Sequence, residues 1–552
     1  MTKYFLLFFC AIFSGKAIAQ NNVVTSATEQ GDVPRPKLVI GIVVDQMRWD
    51  YLYRYYRRYQ ENGGFKRLLN KGFSCENTMI PYVPTVTACG HTSIYTGSVP
   101  AIDGITGNEW WDYDLARDVY CTDDDQVKTI GGTTKAGQMS PRNLLVTTVG
   151  DELRLATNFK SKVVGIALKD RAAILPAGHS ANAAYWYDET TGSWISSSYY
   201  FNELPNWVQE FNAKKLPDHY FSLDWNTLYP LDTYTQSAPD EESYEFRPFG
   251  KDAKGFPYSL KPFIGKGYGA LHITPYGDSF TLDMAMAAVN GEQLGAGSAT
   301  DMLAISLSVP DYIGHTFGPN SVEAEDDFLR LDKDLGNFFD FLDAKLGKGQ
   351  YLIFLTADHG AAHVPAFLNQ HKIPAGNALD AGYTDALNKL LKDRFGADKL
   401  LIGVSNYQVF LNRSLIRQVK LNKDTISKVI VDFLSDQPGV YRAFALDKLN
   451  ETTLNATIKT AAANSDYPPR SGDIQLIFKP QYIENFEQGG TTHGEWNPYD
   501  SHIPLLWYGW NVKPGHTSRE VYMTDIAPTV ASMLHIQMPS GSVGHVIGEV
   551  SP

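Results

Sequence analysis

Cysteine is scarce in this sequence, four in 552 residues, and one of the four lies in a segment expected to be removed. Residues 1–19 carry Lys3, an apolar stretch from Tyr4 to Phe13 and an Ala17-Ile18-Ala19 cleavage site. That is the pattern of a secretory signal peptide, too short to span a bilayer. Cys10 sits inside it, and Leu7-Phe8-Phe9 lacks the small residues of a lipoprotein signal. Cleavage leaves Cys75, Cys89 and Cys121, an odd count that in an oxidising compartment allows one disulfide and one free thiol. Runs of basic residues are absent, so no nucleic-acid-binding surface is expected. No later stretch is apolar and long enough to enter a membrane. A soluble periplasmic or secreted protein is therefore expected. Net charge is −13, and loss of Lys3 and Lys16 takes it to −15. An acidic protein acting on an anion must gather positive charge locally, through metal ions or a few placed Lys and Arg.

The ordinary apolar content and length suit a large α/β domain with insertions. Residues 20–36 are polar with two prolines and read as an N-terminal tether. Largely apolar runs at Lys37–Val44, Lys162–Arg171, Asp301–Val309, Tyr351–Leu355 and Ile503–Trp510 read as buried strands, and helical patterns alternate with them. The strongest helical pattern follows Asn320-Ser321, with Phe328, Leu331, Leu335, Phe338, Phe339 and Leu342 on one face. Ser140-Pro141 is expected to open another helix, as N-cap and first-turn proline. The aromatic and basic stripe Trp49–Tyr59 reads as packing surface. Stretches without sustained periodicity, about 180–280 and 365–490, read as cap-forming insertions in a catalytic domain spanning 37–552.

Four strand ends or loops carry metal-type ligands: Asp45; Asp311 with His315; Asp358 with His359; and His493. Each alone is an ordinary capping or surface feature. Together they make three carboxylates and three imidazoles, the set that two zinc ions with an open position each require. Function in open α/β sheets lies just beyond such strand ends.

These motifs, with Pro84-Thr85-Val86-Thr87-Ala88-Cys89-Gly90-His91, Pro310-Asp311-Tyr312-Ile313-Gly314-His315, Thr356-Ala357-Asp358-His359-Gly360 and Thr492-His493-Gly494, closely resemble the alkaline phosphatase superfamily. Within it the chain looks most like the phosphate-irrepressible bacterial alkaline phosphatases, relatives of the nucleotide pyrophosphatase/phosphodiesterases. The resemblance spans roughly 37–530. It implies an alkaline-phosphatase-like, mostly parallel sheet flanked by helices, and two Zn2+. It also implies that Asp311, His315 and His493 hold the zinc on the leaving-group side, and that Asp45, Asp358 and His359 hold the zinc that binds the Thr87 nucleophile. Thr85 matches a structural residue and Asn108 an amide that holds a phosphoryl oxygen. The motif departs from Thr-x-Pro-Asn-His of the phosphodiesterases after Thr87. Cys89 belongs to no C-x-P-x-R sulfatase motif, so it and His91 read as structural.

Lys169 and Arg171 decide between ester classes. Alternation along a strand would point both to one side. A monoester dianion has one more non-bridging oxygen than a diester, and an ammonium and a guanidinium suit it. The resemblance places a Lys-x-Arg of monoesterases at this position. The expected activity is therefore hydrolysis of small phosphate monoesters through a phosphothreonine on Thr87, and the resemblance favours a monomer. The alternatives are a phosphodiesterase or nucleotide pyrophosphatase on the same zinc site and, from another class, a non-catalytic periplasmic binding protein.

Overall fold

A computed structural model describes residues 33–484 and 489–550. The expected signal peptide and the tether up to residue 32 lie outside these.

Nine of the eleven strands of the main sheet carry the fold: β1 (Leu38–Val44), β2 (Phe73–Met79), β3 (Val163–Ala167), β4 (Ala183–Asp188), β5 (Ser193–Ser197), β6 (Asp301–Leu307), β7 (Tyr351–Thr356), β8 (Leu505–Gly509) and β9 (Gly515–Tyr522). Their order is β2–β8–β7–β1–β6–β3–β4–β5, with β9 beside β2. From β7 to β4 every pairing is parallel, while β8 runs antiparallel to β7 and β5 antiparallel to β4. The sheet is mostly parallel and flanked by helices, as expected. Its centre is built from the uninterrupted apolar runs: every residue of β1, β6 and β7 is buried. Such strands have no wet face and must be covered on both sides.

Four helices position the site: α1 (Thr87–Thr96), α2 (Asp170–Ala177), α3 (Val309–Phe317) and α4 (Val322–Leu346). The Ser321 hydroxyl caps α4 by accepting from Ala324 N, and all six residues of the expected apolar stripe are buried. Tyr51 stacks on Tyr55, which meets Tyr59 edge-on, with Phe328 of α4 against Tyr51 and Tyr55, so the aromatic stripe is packing surface.

Three local expectations are corrected. No helix starts at Ser140, because its hydroxyl donates to buried Asp124 at 2.5 Å. The helix begins at Val149, where Thr148 and Asp151 form a reciprocal capping box. The strand expected to run through Arg171 stops at Ala167; Lys169 is the N-cap of α2 and Arg171 lies in its first turn. Among the described residues no disulfide forms, since Cys75, Cys89 and Cys121 are all free and buried.

The stretch 180–280 opens with two strands of the main sheet, β4 and β5, and ends inside the helix Tyr276–Gly291. Residues 365–490 contain a separate four-stranded sheet, in the order Leu401–Ser405, Gln408–Leu411, Ile474–Phe478, Val440–Ala445, with its own apolar core. Among the described residues no helix is long and apolar enough to cross a membrane.

Candidate metal and phosphate site

The parallel strands deliver their last residues to one edge. Val43 of β1 pairs with Ser306 of β6 and Thr356 of β7, so Asp45 and Asp358 leave the sheet side by side. Asp311 and His315 are one turn apart on α3, which follows β6, with Nε2 of the histidine 3.2 Å from Oδ1 of the aspartate. His493 comes from the loop before β8.

Six of the ligand-type residues meet in two trios, Asp311–His315–His493 and Asp45–Asp358–His359, each with ligand atoms within 4.8 Å of one another. The trios adjoin: the His359 and His493 rings stack with centroids 3.5 Å apart. Each histidine spends Nδ1 on a backbone carbonyl, His315 on Thr491 at 2.8 Å, His493 on Thr85 at 2.7 Å and His359 on Gly360 at 3.0 Å. That fixes the ring orientation and leaves Nε2 as the nitrogen that could ligate a metal. In the second trio Asp45 Oδ1, Asp358 Oδ2 and His359 Nε2 are buried and have no hydrogen-bond partner. Yet they face one another, His359 Nε2 lying 3.6 Å from Asp45 Oδ1 and 3.4 Å from Asp358 Oδ2. Buried polar atoms left unpaired are costly, and a cation shared by all three is the group that fits them.

Lys169 lies between the trios, its Nζ 2.7 Å from Asp45 Oδ2 and 2.6 Å from Asp311 Oδ2. Burial pushes the ammonium pKa down, but the two carboxylates outweigh it and the lysine stays charged. The carboxylates differ. Burial would raise Asp311, but Lys169, His315 and His493 hold it well below the usual range. Asp45 is raised well above that range by burial and by the charge of Asp358. Burial, joined by the charges of His359 and His315, keeps His493 neutral, the form a metal ligand needs.

Thr87 is the first residue of α1 and is buried. Thr85 ties the turn before it to the His493 loop, donating N–H to Gly494 O at 3.2 Å and Oγ1–H to Glu495 O at 3.0 Å. Gly90 brings α1 onto Asp358, since a Cβ there would lie 2.6 Å from the Asp358 Cβ. Asn108 Oδ1 accepts from Ala88 N at 2.9 Å, which sets the amide beside the start of α1. Arg171 donates to the Tyr120 hydroxyl at 3.0 Å, and that hydroxyl donates to Asp170 at 2.7 Å. The Arg171 Nε is buried without a partner.

Three neighbours were not legible as site residues. Gln46, with left-handed φ of 62°, donates Nε2–H to Asp311 at 2.7 Å and N–H to Asp358 at 3.1 Å. Tyr120 anchors Arg171, and the Tyr312 ring centroid lies 5.0 Å from Lys169 Nζ. Only their position beside Asp45 and Asp311 marked Gln46 and Tyr312, and nothing in the sequence marked Tyr120. His91 bonds Thr87 O at 2.9 Å and contacts Ser306 Oγ at 2.8 Å, a structural arrangement, though its Nδ1 is also 3.3 Å from Asp358 Oδ2.

A mostly parallel α/β sheet with two carboxylate–imidazole trios at its strand ends, a buried threonine at a helix start and a Lys–Arg pair defines the alkaline-phosphatase-like class. The chain belongs to the type I phosphodiesterase / nucleotide pyrophosphatase family, whose pattern matches residues 39–500. It is 54% identical to alkaline phosphatase PhoV of Synechococcus elongatus over 94% of this chain and 93% of that one. It is 50% identical to alkaline phosphatase PafA of Elizabethkingia meningoseptica, over 95% of this chain and 96% of that one. The crystal structure of wild-type PafA superposes with a TM-score of 0.91, covering 94% of this chain and 100% of PafA. A protein of Myroides odoratus named a calcium-transporting ATPase is also 50% identical, over 93% of this chain and 94% of its own.

Proposed function

We propose that this protein is an exported, monomeric alkaline phosphatase that hydrolyses small phosphate monoesters through a phosphothreonine on Thr87. The two trios would hold two zinc ions, which when bound lower the pKa of a nearby hydroxyl and stabilise the attacking and leaving oxygens of an in-line displacement. Thr87 Oγ forms the new bond to phosphorus as the bond to the alkoxide breaks; water then cleaves the phosphothreonine, releasing phosphate and restoring the hydroxyl. The phosphoryl group on Thr87 lies at the positive end of α1. With Oδ1 of Asn108 engaged by Ala88 N, its Nδ2 is the end open to a phosphoryl oxygen. Lys169 and Arg171 supply positive charge on the same side. The catalytic domain is taken as 37–552, with the insertions as its rim.

The Lys169–Arg171 pair beside the trios carries the monoester reading, because a diester leaves fewer oxygens for those cations. The family to which the chain belongs favours a second reading, a phosphodiesterase using the same centre. The test is to measure kcat/KM for p-nitrophenyl phosphate and its methyl diester in the wild type and in Lys169→Ala/Arg171→Ala. Removing one preorganised donor typically costs roughly 10²–10³ in rate, so the double variant should lose at least ~10² on the monoester and little on the diester. Equal or better diester turnover, indifferent to both substitutions, would establish the diesterase reading instead.

A further inference from the structure

The inserted sheet reaches the catalytic edge through one tight turn. Ser405 and Gln408 pair across the hairpin of Leu401–Ser405 and Gln408–Leu411, so Asn406 and Tyr407 alone form its loop. Their φ angles are 53° and 60°, as a type I′ turn demands. Asn tolerates that region better than most residues, and Tyr407 is held there by its ring and its main chain. Tyr407 O accepts from Leu476 N at 2.8 Å and from Gln475 Nε2 at 3.1 Å, and the ring packs edge-on to Phe478 at 5.2 Å. The turn is thereby fixed to the core of the insertion.

Its two side chains point at two different parts of the site. The Tyr407 hydroxyl donates to His493 O at 2.5 Å. The Asn406 amide donates Nδ2–H to Glu109 O at 2.6 Å, one residue past Asn108. Each is received by a glycine next to a site residue. A Cβ on Gly494 would lie 2.2 Å from the Tyr407 ring, and one on Gly107 would lie 2.3 Å from the Asn406 amide. A second strand of the insertion adds to the grip, Phe478 N donating to Glu495 Oε1 at 3.0 Å.

We infer that Asn406 and Tyr407 are positioning residues: the insertion uses this turn to set the Asn108 amide with one side chain and the His493 imidazole with the other. His493 is held at both ends, its carbonyl by Tyr407 and its Nδ1 by Thr85 O, which leaves Nε2 one direction. Asn108 sits in a strip whose next carbonyl is pinned by Asn406 while its own Oδ1 holds Ala88 N. Partners that orient a metal ligand from behind typically change metal affinity 10–100-fold when removed.

The inference rests on the proposed function only in taking His493 as a zinc ligand and Asn108 as a phosphate contact, and its test reads binding rather than turnover. Tyr407→Phe keeps the ring and removes the hydroxyl. In competition with a chelator it should lose one of two zinc ions about tenfold more readily than wild type, with its unfolding temperature little changed. Asn406→Gly, and the isosteric Asn406→Asp, should keep both zinc ions as tightly as wild type but bind inorganic phosphate several-fold more weakly. That phosphate effect should vanish in an Asn108→Ala background, which a general loosening would not produce. Unchanged zinc retention in Tyr407→Phe overturns the inference for His493. A phosphate effect of Asn406→Gly that persists undiminished on Asn108→Ala overturns it for Asn108. Failure of the wild type to hydrolyse p-nitrophenyl phosphate would count against the phosphatase function and leave these binding results to stand or fall separately.

Discussion

Asp103 ends the short helix Pro100–Asp103, fully buried, with Oδ1 accepting from Ile105 N at 2.9 Å and Oδ2 lacking any partner. Burial is the main cause that moves its carboxyl from an ordinary 3.8 to about 7. A carboxyl whose folded pKa is raised holds its proton more tightly in the native state. Its contribution to stability is therefore complete below about pH 4 and is lost as pH climbs towards about 7, where the folded group also ionises. Each unit is worth ~1.4 kcal/mol, so the loss is on the order of 4 kcal/mol at most. Asp103→Asn keeps the acceptor for Ile105 N and cannot ionise. Urea midpoints at about pH 5 and about pH 8 should show the variant gaining on the wild type as pH rises. A difference that does not change with pH would mean that Asp103 stays ionised when folded.

At the scale of elements, what was legible in the sequence is what one chemical constraint decides. Strands β1, β6 and β7 are buried on both sides, so they are mostly apolar, and their ends were readable to within a residue or two. The metal-type side chains at those ends were readable because an Asp or His directly after an apolar run stands out, although Asp45, Asp358 and His359 are themselves fully buried. Helix starts are less legible because a serine hydroxyl has several uses: Ser140 serves Asp124, and the cap passes to Thr148. Lys169 and Arg171 looked like alternate residues of one strand, but the strand ends first: Lys169 reaches Asp45 and Asp311 as the N-cap of α2, and Arg171 lies in that helix's first turn. Gln46, Tyr120 and the turn Asn406–Tyr407 were not legible, since their roles depend on contacts between segments far apart in sequence. The cap assignment is testable. Thr148→Ala should cost ~1 kcal/mol by removing the acceptor for Asp151 N, read as a lower urea midpoint, and a midpoint equal to wild type would show that the box contributes nothing.

For the molecule as a whole, the site is a cross-link among remote parts of the chain. Asp45, Asp311 with His315, Asp358 with His359, and His493 come from four segments, and Lys169 from a fifth. Three carboxylates converge there, and in the absence of metal Lys169 is the ammonium that touches two of them, Asp45 fully buried and Asp311 at 5% exposure. Breaking a buried ion pair by removing one partner typically costs about 3–5 kcal/mol, because the other charge is left uncompensated. Bound divalent cations would compensate the same carboxylates, so Lys169 should matter less to stability when zinc is present. Zinc bound at the trios would also stabilise the native state by mass action, on the order of 4 kcal/mol at a thousandfold excess over its Kd. Lys169→Met, which keeps most of the apolar stem, separates the two contributions. Urea midpoints of wild type and variant should lie close together in excess zinc and far apart after chelation, the variant gaining more from metal than the wild type does. If the gap is large and the same in both states, metal does not take over from the lysine in balancing those carboxylates; if it is near zero in both, the charge at the centre of the fold must be held by protonation of Asp45, whose pKa burial and Asp358 already raise.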